Sequence, residues 1–130
     1  MRYRFTIETK REEMRNITRE VGGCIGRSGI TDGICTVFCP HTTAAITINE
    51  NADPDVVDDL LFALRETYPD RREFRHMEGN SAAHLKSSVL GASETVLVED
   101  GRLLLGTWQG IYFCEFDGPR RRTYYVDVRA

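Results

Sequence analysis

Thr95-Val96-Leu97-Val98-Glu99-Asp100-Gly101-Arg102-Leu103-Leu104-Leu105-Gly106 is the stretch that sets the fold class. Apolar and β-branched residues flank an Asp-Gly pair, which readily adopts the positive φ angles of a tight turn. The reading is a β-hairpin with arms 95–99 and 102–106. Beyond it, residues 111–116 and 123–128 read as another strand pair around Asp117-Gly118-Pro119. At the other end of the chain, Tyr3, Phe5 and Ile7 alternate with Arg4, Thr6 and Glu8, the period of a strand with one buried face. Residues 33–39 form a nearly continuous apolar run, typical of a covered strand, and residues 44–49 read as the next strand.

Helical spacing fills the gaps between these strands. Val21, Cys24 and Ile25 predict a short helix with Thr18 placed to cap it and Gly26 and Gly29 available to stop it. Asp53-Pro54 is a strong helix start, and Val56, Val57, Leu60, Leu61 and Leu64 form the stripe behind it. Asp55, Asp58 and Asp59 then fall on the solvated side, where the helix dipole already favours acids near the N-terminus. A charged loop, 68–75, follows as a candidate lid or subunit contact. Asn80 or Ser81 can cap a third helix ending at Gly91. The order of elements, with strands joined by hairpins, predicts an α+β fold: a largely antiparallel sheet with helices packed on one side, in a single domain over 1–130.

Composition narrows the function. The chain has 130 residues, 41% hydrophobic and 28% charged, so it can bury a core. Its net charge of −3 argues against nonspecific nucleic-acid binding, which depends on neutralising phosphates. No apolar run approaches the ~20 residues of a membrane span, and the first residues alternate too regularly for a signal peptide. The expectation is a cytoplasmic protein that binds neither nucleic acid nor membrane. Cys24, Cys35, Cys39 and Cys114 contain no CxxC pair and read as reduced, buried thiols, with Cys35 and Cys39 as metal ligands the alternative.

Three segments carry the candidate chemistry. In the first, His41 precedes a strand that Asn49, Glu50, Asn51 and Asp53 follow on the turn into a helix. Asn51 and Asp53 suit turn and cap bonds, whereas Glu50 is no favoured turn residue and reads as a base or ligand. In the second, His76, Glu78, Asn80 and His84 surround a glycine and two alanines. Imidazoles beside carboxylates suit zinc, although the spacing is no standard zinc signature, or an acid–base pair near neutral pH. In the third, Trp108 and Gln109 interrupt the hairpins, and Glu115 shares an aromatic strand face with Phe113. A carboxylate there must be paired or titrate upward, making it a salt-bridge partner or a site residue. The Arg120-Arg121-Arg122 run can supply the pair.

Four sequence words follow one another in order: His-Thr-Thr-Ala with Asn-Glu-Asn-x-Asp-Pro at 41–54, His-x-Glu-Gly-Asn with Ala-His-x-Lys at 76–86, Leu-Gly-Thr-Trp-Gln at 105–109, and Glu-Phe-Asp-Gly-Pro-Arg at 115–120. Together they resemble the YjbQ family over nearly the whole chain, with no departure at the motif positions. The resemblance implies an antiparallel α+β fold, a homotrimer, and clefts where polar motifs of neighbouring subunits meet. It also implies a secondary thiamine-phosphate synthase activity, which joins hydroxymethylpyrimidine diphosphate to thiazole phosphate and releases pyrophosphate.

On that reading His41, Glu50, His76, Glu78, His84 and Glu115 are the candidate catalytic residues. Asn49, Asn51, Asn80, Trp108, Gln109 and Arg120 are the candidate substrate-binding residues, and His41, His76 and His84 the candidate ligands of a zinc or magnesium ion. A divalent cation or arginines would stabilise the departing anion. The expected partner is a small phosphorylated metabolite. A metal-assisted hydrolase or other phosphate-ester enzyme, with Glu50 or Glu78 as base, is one alternative. A non-enzymatic trimeric module that captures a metabolite or protein is the other.

Overall fold

In the computed structural model, which describes residues 1–130, the chain runs β1 (Arg2–Glu8), β2 (Glu13–Asn16), α1 (Thr18–Ser28), β3 (Gly33–Phe38), β4 (Ala44–Glu50), α2 (Pro54–Thr67), α3 (Ser81–Leu90), β5 (Ser93–Glu99), β6 (Arg102–Leu103), β7 (Gln109–Glu115) and β8 (Arg121–Arg129). Strands pair only antiparallel, in a five-stranded sheet ordered β1-β8-β3-β5-β6 and a three-stranded sheet ordered β2-β7-β4. The fold is α+β, as the hairpin and helix patterns predict. No helix is long and apolar enough to cross a membrane.

Alternation decides which faces meet. Val37, Val96 and Val126 of the larger sheet pack with Ile46, Ile111 and Phe113 of the smaller one, and α1 adds Val21, Cys24 and Ile25 to that core. The opposite face of the smaller sheet, with Met14, Ala45, Tyr112 and Cys114, is covered by Ala83 of α3 and by half-buried Val57, Leu60, Leu61 and Leu64 of α2. All four cysteines are free and buried. Burial pushes the Cys35 thiol up to about 12 and the Cys39 thiol up to about 11, as expected of thiols that pack as small hydrophobes.

Local signals held in places and failed in others. Asp53 caps α2, its carboxylate accepting the Asp55 amide at 2.9 Å behind Pro54. Asp100 (φ 52°) and Gly101 (φ 73°) make the hairpin turn, although β6 spans two residues and not the longer 102–106 arm. Thr18 does not cap α1. Its amide donates to Asn16 Oδ1 at 3.0 Å, and its hydroxyl accepts the Ile111 amide at 2.8 Å, which ties the helix to β7. Gly29, at φ 70°, ends that helix.

The pair expected from 111–116 and 123–128 does not form. β7 belongs to the smaller sheet and β8 to the larger, so residues 116–120 cross from one to the other. Gly118 sits at the crossing, with its amide bonded to the Arg11 carbonyl at 2.9 Å. A Cβ at that position would lie 1.9 Å from the Lys10 carbonyl oxygen. Gly118→Ala should therefore cost about 2–3 kcal/mol, toward the upper end for overpacked sites, because backbone atoms are the obstacle. Urea unfolding of the variant checks this; a change within ~0.5 kcal/mol would mean that the crossing yields easily.

Candidate functional site

The crossing is braced by Glu115, the last residue of β7, which is 0% exposed. Its Oε1 accepts Arg122 Nε at 2.7 Å and the Thr9 hydroxyl at 2.6 Å; its Oε2 accepts Arg122 Nη2 at 2.5 Å and the Asp117 amide at 2.9 Å. Arg122 Nη2 also donates to Thr43 Oγ1 at 2.8 Å. Burial pushes the Glu115 carboxyl up, but the Arg122, Thr9 and Asp117 bonds outweigh it and hold it below the usual carboxylate range. Of the two roles open to it in the sequence, the geometry is that of the salt-bridge partner. With these bonds made and no surface exposed, Glu115 lacks the access a catalytic carboxylate needs.

Next to this brace lies a cleft of about 670 Å³ between the α2–α3 loop, α3 and the crossing. Asp117 forms part of its wall: Oδ2 accepts Asn80 Nδ2 at 2.8 Å and Arg120 Nη2 at 2.9 Å. Burial raises this carboxyl, yet the Asn80 and Arg120 bonds prevail and hold it below its ordinary value. Asn80 is thereby drawn away from capping α3 with its side chain, and its Oδ1 is buried without a partner. Asp70 makes the capping bond instead, from the 68–75 loop, accepting the Ala82 amide at 3.2 Å.

Two of the three histidines contact each other. The His76 and His84 rings stand 5.4 Å apart, centroid to centroid, at 84°, and Glu78 Oε1 is 3.7 Å from His76 Nε2. α3 packs along β4, with the Ser87 hydroxyl donating to the Ala44 carbonyl at 2.6 Å. His84 lies about one turn before Ser87, near the N-terminal end of α3. His41 Nε2 accepts the Thr123 amide at 3.0 Å; burial, aided by the nearby Arg122 charge, lowers its pKa and favours the neutral ring. Within one chain no three His, Cys, Asp or Glu residues form a group able to hold a metal ion. The set of His41, His76 and His84 does not assemble as one.

The remaining candidates gather elsewhere. Asn49 and Glu50 pair with Gly110 and Gln109 where β4 ends and β7 begins. There the Asn51 amide donates to the Trp108 carbonyl at 2.7 Å, the Gln109 side chain accepts the Gly106 amide at 2.8 Å, and Glu50 Oε2 accepts the Asp53 amide at 3.3 Å. Asn51 also bonds Asn16, Tyr112 donates to the Glu50 carbonyl at 2.6 Å, and Trp108 is 62% exposed. Glu115 and Gln109 mark opposite ends of β7, so about 20 Å of strand separates the groups. One chain therefore carries two polar clusters, and the clefts that the resemblance implies, where polar motifs of neighbouring subunits meet, would need a second copy to join them.

Several cleft residues escape sequence reasoning. Lys86 lines the wall with its side chain only 8% exposed, and Glu12 Oε2 accepts its ammonium at 3.1 Å. Glu12 Oε1 accepts Arg65 Nη1 at 2.8 Å. Lys86 closes the Ala-His-x-Lys word without a role assigned to it, and its position four residues after Ala82, on the small-residue face of α3, is a second signal.

Paired antiparallel sheets, a helix-covered outer face and a polar cleft at the β7–β8 crossing define an α+β class whose sequence words sit mainly at the two ends of β7. The chain belongs to the family described as UPF0047 protein YjbQ-like, whose profile matches residues 3–130. It is 65% identical over 121 residues to the UPF0047 protein YugU of Bacillus subtilis (strain 168), covering 92% of each chain. It is 52% identical over 129 residues to a UPF0047 protein of Methanocaldococcus jannaschii, covering 98% of this chain and 94% of the relative. A crystal structure of an uncharacterized YjbQ/UPF0047 family protein from Clostridium acetobutylicum superposes with a TM-score of 0.95 at 48% identity, covering 98% of this chain and 99% of that one.

Proposed function

We propose that the protein is an enzyme acting on a small phosphorylated metabolite in the α3 cleft, with chemistry of the thiamine-phosphate synthase type. The observation that carries this reading is a cleft that presents Lys86, Arg65 and Arg11, with the His76–His84 imidazole pair outside its lining but on the same loop and helix that supply Glu78, Asn80 and Lys86 to it. In such a reaction the thiazole nitrogen donates its lone pair to the pyrimidine methylene, forming a C–N bond. The C–O bond to diphosphate breaks, and the leaving group takes the electron pair as pyrophosphate. Cations near that group favour its departure, and an imidazole can supply it with a proton.

The second cluster finds its place in a homotrimer. A neighbouring copy would bring Trp108, Asn49, Glu50, Asn51 and Gln109 to the cleft, where an indole can stack on a pyrimidine. His76, His84 and Glu78 favour a second reading, metal-assisted hydrolysis of a phosphate ester. There zinc or magnesium would take the two imidazoles together with donors from outside the chain, with Glu78 as base. Four free thiols and the lack of any membrane-crossing helix suit a cytoplasmic location.

The test combines purified protein with hydroxymethylpyrimidine diphosphate and thiazole phosphate, with and without zinc or magnesium, and measures thiamine phosphate and pyrophosphate together. Equimolar appearance of both supports the transferase. Metal-dependent phosphate release without thiamine phosphate supports the hydrolase. No turnover across phosphorylated metabolites supports the binding module. Light scattering should return three times the 14.8 kDa of one chain.

A further inference from the structure

We propose that Lys86 holds the phosphate of the ligand and that Glu12 is a built-in counter-anion which the ligand displaces. The assignment rests on the cleft being the site of a phosphorylated ligand, and it names residues outside the recognised sequence words' acid, amide and imidazole groups. A lysine side chain that is 8% exposed keeps its charge inside a protein only with a partner. Its ammonium has three N–H donors, and the structure gives it one acceptor, Glu12. Its other surroundings include Ala82, Ala83 and the Phe116 ring, whose centroid is 5.8 Å away.

The remaining carboxylates of the cleft are committed elsewhere. Asp117 holds Asn80 and Arg120, Asp70 caps α3, and Glu78 faces His76. Glu12 alone is shared between two cations, Lys86 at 3.1 Å and Arg65 at 2.8 Å. When an anion arrives, Glu12 can release Lys86 and keep Arg65, so neither charge is left alone. Arg11, which lines the same cleft and makes no ion pair, is free to take a second phosphate oxygen. A terminal phosphate suits this arrangement better than a carboxylate, because it carries more acceptor oxygens and more charge. The cleft volume of about 670 Å³ is that of a small-molecule site.

Titration calorimetry with inorganic pyrophosphate tests the exchange. Relative to the unmodified protein, Glu12→Gln should bind pyrophosphate about tenfold more tightly, because the competing charge is gone, and Lys86→Gln about tenfold or more weakly. Tightening in Glu12→Gln cannot arise from misfolding, and the double variant should lose the gain. Unchanged or weaker binding by Glu12→Gln overturns the proposal. Pyrophosphate binding that survives Lys86→Gln but vanishes in His84→Gln overturns the role of Lys86 while leaving the phosphate-ligand reading intact. Absence of binding by both the unmodified protein and Glu12→Gln overturns both.

Discussion

Arg122→Met should remove about 3–5 kcal/mol of folding stability, because it strands a buried charge. Glu115 would keep the Thr9 hydroxyl and the Asp117 amide but lose both guanidinium bonds, in a position with no access to water. That is a large share of the ~5–15 kcal/mol available to a small domain. Removing both charges together, with Glu115→Gln and Arg122→Met, should recover much of the loss, because replacing a buried pair as a unit is far less costly than breaking it. Urea unfolding of the two single variants and the double variant measures the coupling. Equal losses that simply add would contradict a direct pair.

The same brace sets a pH dependence. The folded Glu115 carboxyl titrates below the 4.5 of an unperturbed glutamate, so it binds its proton more weakly in the folded state than in the unfolded chain. Its contribution is therefore complete above pH 4.5 and is lost as pH falls through the lower folded value. Arg122→Met should flatten that part of the stability profile.

His84→Gln should lower turnover of the phosphorylated substrates by about 10²–10⁴, the usual contribution of a positioned acid or base. The half-buried ring makes no hydrogen bond in the structure, only the edge contact with His76, so the fold should tolerate the change. Pyrophosphate affinity should stay within about threefold, because charged cleft donors, not the imidazole, supply the main anion contacts. Single-turnover rates and calorimetry on one preparation separate the two effects. Full activity with a correctly folded variant would remove His84 from the chemistry.

Local sequence signals specify elements well here and specify partners poorly. Asp53-Pro54 and Asp100-Gly101 contain their own chemistry, a cap and a positive-φ turn, and both form as read. The strand Glu13-Met14-Arg15-Asn16 shows no apolar alternation beyond Met14, and its order comes from pairing with β7, about a hundred residues away. Asp117-Gly118-Pro119 reads as a hairpin turn, yet the close approach of the Lys10 carbonyl makes it a passage between sheets. Glu115 announces its need for a partner by lying among aromatics, and the adjacent arginine run narrows the choice. The bridge from Glu12 to Lys86 and Arg65 has no such signal, because three charged residues 53 and 74 positions apart look solvated until the fold brings them together. The two polar clusters likewise look like one site in the sequence, since nothing local reveals the length of β7 between them.

Crystals of the protein grown with hydroxymethylpyrimidine diphosphate offer the most direct measurement. The diphosphate should lie in the α3 cleft, bonded to Lys86 and Arg11, with the His76 and His84 rings on the side of the departing oxygen. A second, smaller hollow of about 280 Å³ lies at the start of α2, lined by Asn16, Asn51 and Tyr112; density there, with the α3 cleft holding only solvent, would contradict the account.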